Sequence, residues 1–435
     1  KSEAPFEIPA NWEWVRLGDV VLNRDAERKP VSKKDRNLHA QKIYDYYEAA
    51  GAIDKVEEYL FDEKLLLIGE DGANLLSRSK PNAFLANGKY WVNNHAHVID
   101  AIDKSMLDYL AFYINAISLD DFVTGTAQPK LNQENLNKIP IPLPPLAEQQ
   151  RIVEKIEEAF AEIDAIEKNK ELLKTHIKQT RQKILDLAIH GKLVPQNKSD
   201  EPASVLLERI TRDNPHYEKM GLDERRETKD ERDSNYKRHS REGGNLPPML
   251  SKDEVPFEVP ENWCWCRLGD ICNKLIDGDH NPPKGLDYVT KYMMLSSRNI
   301  NDNDIVDLEN VRYLSKEMFE EENQRTKLEE GDILFTSVGS LGRSCIFSGD
   351  GKYCFQRSVS LIHTNIYNKY LKYFFDSNFY QKYIVENATG TAQMGFYLEQ
   401  MRKSFIAIPP LAEQSRIVAK IEELFAELDL VLQNV

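Results

Sequence analysis

The chain has 435 residues, enough for two or three domains that each bury a core. Its 41% apolar and 9% aromatic content belongs to a globular protein, and no stretch nears the roughly 20 apolar residues that span a bilayer. A formal net charge of −14 excludes a nucleic-acid binder that works by overall basicity, although a local positive cleft can coexist with acidic helices.

The chain opens on Lys1 with no apolar secretory segment behind it, and an odd set of scattered cysteines fits a reducing cytoplasm, the expected location. From Pro5 it runs Pro5-Phe-Glu-Ile-Pro-Ala-Asn-Trp-Glu-Trp-Val-Arg-Leu-Gly-Asp19. Trp12 and Trp14 are two apart, which puts both rings on one face of a strand. Lys29, Lys33, Lys34 and Arg36 form the clearest basic cluster, a candidate phosphate clamp. Short apolar runs at 65–68 and 98–102, a turn at Ala86-Asn-Gly88 and a helical patch at 107–117 predict a mixed body with a substantial sheet. Thr124-Gly-Thr-Ala-Gln128 closes it.

Pro144-Pro-Leu-Ala-Glu-Gln149 then opens a long helix. Ile152, Ile156, Ala159, Ile163, Ile166, Leu173, Ile177, Ile184 and Leu187 recur in alternating four- and three-residue steps, a coiled-coil seam. Lys170 and Thr180 interrupt the seam, and Gly191 with Pro195 supplies the stop. From Ile152 to His190 the helix would measure roughly 58 Å. Residues 196–255 read as a connection: 200–211 has the pattern of a short helix, and 213–245 is too charged to offset its ordering entropy.

At Pro256 the whole plan begins again. Pro256-Phe-Glu-Val-Pro-Glu-Asn-Trp-Cys-Trp-Cys-Arg-Leu-Gly-Asp270 repeats the opening, Gly351-Lys-Tyr353 repeats Gly88-Lys-Tyr90, and Thr389-Gly-Thr-Ala-Gln393 repeats the closing segment. Pro409-Pro-Leu-Ala-Glu-Gln414 leads into a second seam, Ile417, Ile421, Leu424, Leu428 and Val431. The period is too long for a solenoid and marks a duplicated domain. Pro5 to Pro144 spans 139 positions and Pro256 to Pro409 spans 153, so the second body is longer, and between the shared patches the copies have little in common. The frame is common and the interior divergent.

Catalytic chemistry finds few supports. Gly339-Ser-Leu-Gly-Arg343 lacks the length and ending of a phosphate loop. Asn281-Pro-Pro-Lys284 has Lys284 where an amino-methyltransferase motif would place a stacking aromatic, and it reads as a turn. His95 and His97 form a lone His-x-His pair, better explained by packing or polar contact than by a metal. Glu70-Asp71 and Glu329-Glu330 read as surface turns. Cys264, Cys266 and Cys272 have no counterparts in the first copy, so they read as strand or core residues. No catalytic residue and no metal site are expected.

With its two Trp-x-Trp-x-x-Leu-Gly-Asp openings and two Pro-Pro-Leu-Ala-Glu-Gln helices, the chain resembles the specificity subunits of type I restriction–modification enzymes. The resemblance covers nearly all of it apart from the charged connection. It implies an α+β fold with two target recognition domains, at 1–143 and 256–408. It also implies spacer helices at 144–194 and 409–435, pairing as an antiparallel coiled coil, with a linker at 195–255. It implies a non-catalytic subunit that reads a bipartite site in double-stranded DNA and directs two methylation subunits and motor/nuclease restriction subunits to it. S-adenosylmethionine and ATP would be used by those partners, with no cofactor in this chain. The other readings are a coiled-coil scaffold or a solitary DNA-modifying enzyme.

Residues identical in both copies cannot distinguish two half-sites. Gly125, Gln128, Gly390 and Gln393 are therefore candidates for phosphate contact or support. Base reading belongs where the copies differ. The candidates are Asn74, Arg78, Ser79, Lys80, Asn93, Asn94 and His95 in the first, and Arg298, Asn299, Ser337, Ser340, Arg343, Gln356 and Arg357 in the second. Arg suits guanine and Asn suits adenine in the major groove.

Overall fold

The computed structural model describes residues 5–38, 41–125, 128–213, 250, 254–390 and 393–434. Most of the charged stretch expected as a linker, 214–249, lies outside the described residues. The chain divides into two compact units, 1–169 and 170–435, and each is described by itself.

In the first unit the strands are β1 (Glu13–Arg16), β2 (Leu22–Asn23), β3 (Tyr44–Glu48), β4 (Gly51–Val56), β5 (Phe61–Asp62), β6 (Leu65–Gly69), β7 (Ala83–Ala86), β8 (Lys89–Val92), β9 (Ala96–Asp100) and β10 (Pro140–Leu143). They form one sheet in the order β2-β9-β6-β7, a second in the order β4-β3-β8-β5, and a ribbon β1-β10. Strand β6 is buried along its whole length. Alternation along it feeds two cores. Leu66 and Ile68 pack with Ile99, with helix α1 (Met106–Ala116) and with Ile141 of the ribbon. Leu65 and Leu67 pack with Phe61, Tyr90 and Val92 of the second sheet. Leu107, Leu110, Ala111 and Ile114 supply the three- and four-residue spacing that makes α1 a core-facing helix.

The second unit repeats the plan. Its strands are β11 (Cys264–Arg267), β12 (Cys272–Asp277), β13 (Tyr292–Leu295), β14 (Arg312–Leu314), β15 (Ile333–Thr336), β16 (Ser344–Ile346), β17 (Lys352–Phe355), β18 (Val359–Thr364) and β19 (Phe405–Ile408). They build β12-β18-β15-β16, β14-β13-β17 and the ribbon β11-β19. The helix Lys316–Thr326 follows β14 and contributes to the greater length of this body. All five cysteines are buried and unpaired, as strand or core residues should be. Burial pushes the Cys264 thiol up to about 12.

The long helix α2 (Leu146–Ile189) begins in the first unit and ends in the second. Its closing turns run antiparallel to α3 (Leu411–Gln433). Arg181 meets Phe425 and Asp429 of α3, while Ile184, Leu185, Ala188 and Ile189 share a core with Ile417, Val418 and Ile421. Past the helix end, Gln196 reaches Glu413 at the start of α3. Rising numbers on one helix meet falling numbers on the other.

The seam departs from the heptad expectation in two ways. Ile163 and Ile166 are 49% and 65% exposed, and Ala159 is exposed as well. Leu185, Ala188 and Ile189, outside the expected seam, are buried. The end of α2 faces a globular core as well as a helix, so its apolar stripe is wider than a two-helix seam. Residues 195–213 also depart from the linker reading. Leu206, Leu207 and Ile210 of the helix Ala203–Asp213 lie in that same core, and Asp200 pairs with Arg416 at 2.6 Å.

The repeated Pro-Pro-Leu-Ala-Glu-Gln segment has one local job in both copies. Gln149 and Gln414 are buried and donate back to the Pro144 and Pro409 carbonyls at 2.8 and 2.9 Å. The glutamates tie the helix to the opening segment: Asn11 Nδ2 donates to Glu148, and Trp263 Nε1 to Glu413, both at 3.1 Å. The motif fixes where each body passes into its helix.

Candidate nucleic-acid interface

Three loops of the first unit meet at one edge. The segment after β6 bonds on both sides: Glu70 N–H donates to the His95 carbonyl, and Leu131 N–H to the Glu70 carbonyl, each at 2.8 Å. Thr124 and Lys130 exchange both backbone bonds at 2.8 Å, closing the Thr-Gly-Thr-Ala-Gln loop. The second unit makes the same contacts at matched positions. Ser337 N–H donates to Ser358 at 3.0 Å and Phe396 N–H to Ser337 at 2.8 Å. Thr389 and Gly395 exchange bonds at 2.9 and 2.8 Å. With Gly88-Lys-Tyr90 set on Gly351-Lys-Tyr353, the registers place Asn93, Asn94 and His95 on Gln356, Arg357 and Ser358.

The closing loops explain their glycines. Gly125 and Gly390 have φ of 86° and 126°, which favours glycine. A Cβ at either position would sit 2.6 or 2.3 Å from the carbonyl oxygen of Gln128 or Gln393. Loop closure alone therefore accounts for both, while Gln128 and Gln393 remain exposed at the edge.

The structure sorts the base-reading candidates by exposure. Arg78, Ser79, Lys80 and Asn94 are exposed in the first unit, and Arg298, Ser340, Arg343 and Arg357 in the second. Four others turn inward or organise a turn. Asn74 donates to the Lys80 carbonyl and to Asn82, and accepts from Ser79 and the Lys80 amide. Asn93 is buried and caps the His95 amide at 2.8 Å. Asn299 is buried and donates to the Val306 and Asp307 carbonyls. Ser337 is buried against Ser360. Gln356 is half-buried. In the basic cluster Lys29, Lys33 and Lys34 are exposed, but Arg36 is not a free clamp. Its guanidinium lies over Tyr46 and pairs with Asp54 at 3.1 Å.

His95 and His97 take different parts. His95 is half-buried and is held by Asp71, whose carboxylate oxygens lie 2.9 and 2.8 Å from Nδ1. His97 is 1% exposed. Its Nδ1 faces Asp25 at 2.6 Å and its Nε2 faces the Leu131 carbonyl at 2.8 Å. Arg28 bonds Glu70 at 2.6 Å and the Ala96 carbonyl at 2.7 Å, and Lys130 reaches Glu70 at 3.1 Å. This buried network joins the loops of the first unit, and no motif in the sequence announced it. Burial pushes the Asp25 carboxyl up, but His97, the Val98 amide and Arg28 outweigh it and hold the group below its ordinary range. Glu70 is likewise raised by burial and lowered further by Arg28, His97 and Lys130.

Among the described residues two groups have metal-ligand spacing: Asp25, Glu70 and His97, and Glu329, Asp332 and His363. Protein cations already fill both. Arg28 and Lys130 sit on the first, and Lys274 bonds Asp332 at 2.7 Å in the second. Both are ion-pair networks.

The exposed arginines suit bidentate contact with guanine. Replacing Arg343 or Arg357 with alanine should change preference at one half-site by about 1–3 kcal/mol per base pair. Selection from a randomised DNA library by the assembled complex measures this, and uniform weakening would reassign the residue to phosphate.

Comparison with known proteins supplies the remaining finding. The model of the type I restriction modification DNA specificity domain matches twice, at residues 9–175 and 260–433. The type I restriction enzyme EcoEI specificity subunit of Escherichia coli is 25% identical, with 99% of this chain and 80% of that protein covered. A putative type I restriction enzyme specificity subunit of Haemophilus influenzae, S.HindORF215P, is 27% identical over 94% of this chain and 87% of its own length. A solved structure described under complex assembly and conformational transition of the type I R-M system has the same fold. Its TM-score is 0.53 at 16% identity, covering 99% of this chain and 94% of that one. Among the described residues no helix is long and apolar enough to cross a membrane.

Proposed function

The chain belongs to the type I restriction–modification DNA specificity family, and from that premise we propose how its two units work. Each unit reads one half of a bipartite DNA target, and the chain directs partner methylation and restriction subunits to it without catalysing a step itself. Two methylation subunits dock on the helices, and motor/nuclease subunits join them. S-adenosylmethionine and ATP act in those partners. The observation that carries this reading is the pair of matched loop edges, one per unit, built on the same backbone bonds but bearing different exposed side chains. A common frame with different letters suits two different half-sites.

The partners also account for the acidic balance. If they surround the duplex, this chain need not supply all the positive charge that phosphate neutralisation requires. The isolated chain should bind DNA weakly and with strong salt dependence. Adding methylation subunits at fixed salt should tighten binding by at least tenfold in fluorescence anisotropy. Equal affinity with and without them would sink the shared-grip account. Turnover of labelled S-adenosylmethionine on DNA by the purified chain alone would overturn the non-catalytic reading.

A further inference from the structure

The turn at 279–284, which the sequence presents only as Pro-Pro punctuation, has a structural counterpart in the first unit. Lys29 N–H donates to the Val92 carbonyl at 3.2 Å, and Asp279 N–H donates to the Phe355 carbonyl at 2.7 Å. Val92 and Phe355 are the same position by two independent marks. Each lies two residues past the shared Gly-Lys-Tyr segment, and each is the parallel-strand partner of the residue whose carbonyl takes the next amide. Those partners are Tyr47 and Leu295. The accepted amides are Asn93 at 3.1 Å and Gln356 at 2.9 Å. Both segments leave the edge strand of the central sheet, cross onto the second sheet, and then meet proline.

The crossing in the second unit is tight. A Cβ at Gly278 would sit 2.2 Å from the Phe355 carbonyl oxygen, so only glycine lets the chain lie that close. Arg357 N–H then donates to the Asp279 carbonyl at 2.9 Å, fastening the turn to the loop that presents Arg357. Asn281 and Lys284 are both exposed. The Asp279 carboxylate accepts the Asn281 amide at 2.9 Å, which leaves the Asn281 side chain available.

We propose that the turn at 279–284 is the second unit's grip on the DNA backbone, with Lys284 and Asn281 contacting phosphate where the first unit presents Lys29, Lys33 and Lys34. The proposal rests on the reading of both units as DNA readers. The sequence hid this equivalence because the two segments share no run of residues and differ in length on the way from the strand. Their charges differ as well: three lysines against one lysine beside Asp279. The first half-site is therefore held more electrostatically than the second.

The test uses the complex of the full chain with its methylation subunits, titrated with duplex DNA at several salt concentrations. Lys284→Ala should weaken binding roughly 3- to 10-fold to every sequence and flatten the salt dependence by about 0.9, one phosphate's worth. Asn281→Ala should weaken binding uniformly and leave the slope in place. Lys33→Ala with Lys34→Ala should flatten the slope by about 1.8. A complex that keeps its sequence preference but is indifferent to Lys284→Ala overturns the proposal alone. So does a Lys284→Ala effect confined to one base position. A wild-type complex with no sequence preference would remove the reader assignment and this proposal with it.

Discussion

Replacing His97 with alanine should destabilise the first unit by about 3–5 kcal/mol, the range for removing one partner of a buried ion pair. Both ring nitrogens are engaged, Nδ1 with the Asp25 carboxylate and Nε2 with the Leu131 carbonyl. Alanine leaves the Asp25 carboxylate buried, with Glu70 close by and Arg28 as the remaining cation. It also orphans the carbonyl of Leu131, the residue that anchors the closing loop to Glu70. Denaturant unfolding would measure the loss. Asp25→Asn in the same chain removes the stranded charge and should recover part of it, with a coupling above 0.5 kcal/mol in the double-mutant cycle. A single-variant loss under about 1 kcal/mol, or strict additivity, would show that the network contributes little.

The same network sets a pH dependence. Asp25 and Glu70 are held below their ordinary values of 3.8 and 4.5 in the folded unit. A depressed carboxylate contributes stability that is full above the unfolded value and is lost as pH falls through the folded one. The wild-type first unit should therefore weaken below about pH 4. His97→Ala should reduce that acid sensitivity, since Asp25 loses a large part of what depresses it.

How far the sequence could be read depended on whether a residue's role was set locally. The doubled hexapeptide, the Trp-x-Trp openings and the heptad steps are local patterns, and they led to the duplicated body, the opening strands and the long helices, while the antiparallel pairing followed only from the family resemblance. The helix edge facing a globular core could not be foreseen, because burial of Leu185 and Ile189 is decided by Trp263 and Leu206, distant in sequence. The interface was legible only in outline. Comparing the copies singled out Arg343 and Arg357, both exposed, but it equally singled out Asn93 and Asn299, which turn inward, and the basic cluster likewise joined the exposed Lys33 to the buried Arg36. A short polar side chain beside a turn has two uses, bracing the loop or facing the ligand, and composition does not separate them. Asp71 and Lys284, which the sequence presents only as parts of turns, gain their roles from the fold: Asp71 holds His95, and Lys284 sits on the turn that the sheet registers match to Lys29.

Ile417 offers the second large effect, and it separates scaffold from reader. The side chain is fully buried in the core shared by the ends of α2 and α3. Ile417→Ala should cost about 2–5 kcal/mol from lost burial plus the cavity left behind. At roughly 2–4 °C per kcal/mol for a unit of this size, the melting temperature of the second unit should fall by about 4–20 °C. Val431→Ala, at a seam position 45% exposed, should change stability by under about 0.5 kcal/mol. Below its lowered melting point the Ile417→Ala complex should keep the wild-type base preferences at every position, because Ile417 is fully buried and the exposed candidates Arg298, Ser340, Arg343 and Arg357 lie outside its core. Above it, all binding through the second half-site should be lost together. A variant that keeps its stability but shifts preference at one base pair would mean that the helix pair shapes the reading surface itself.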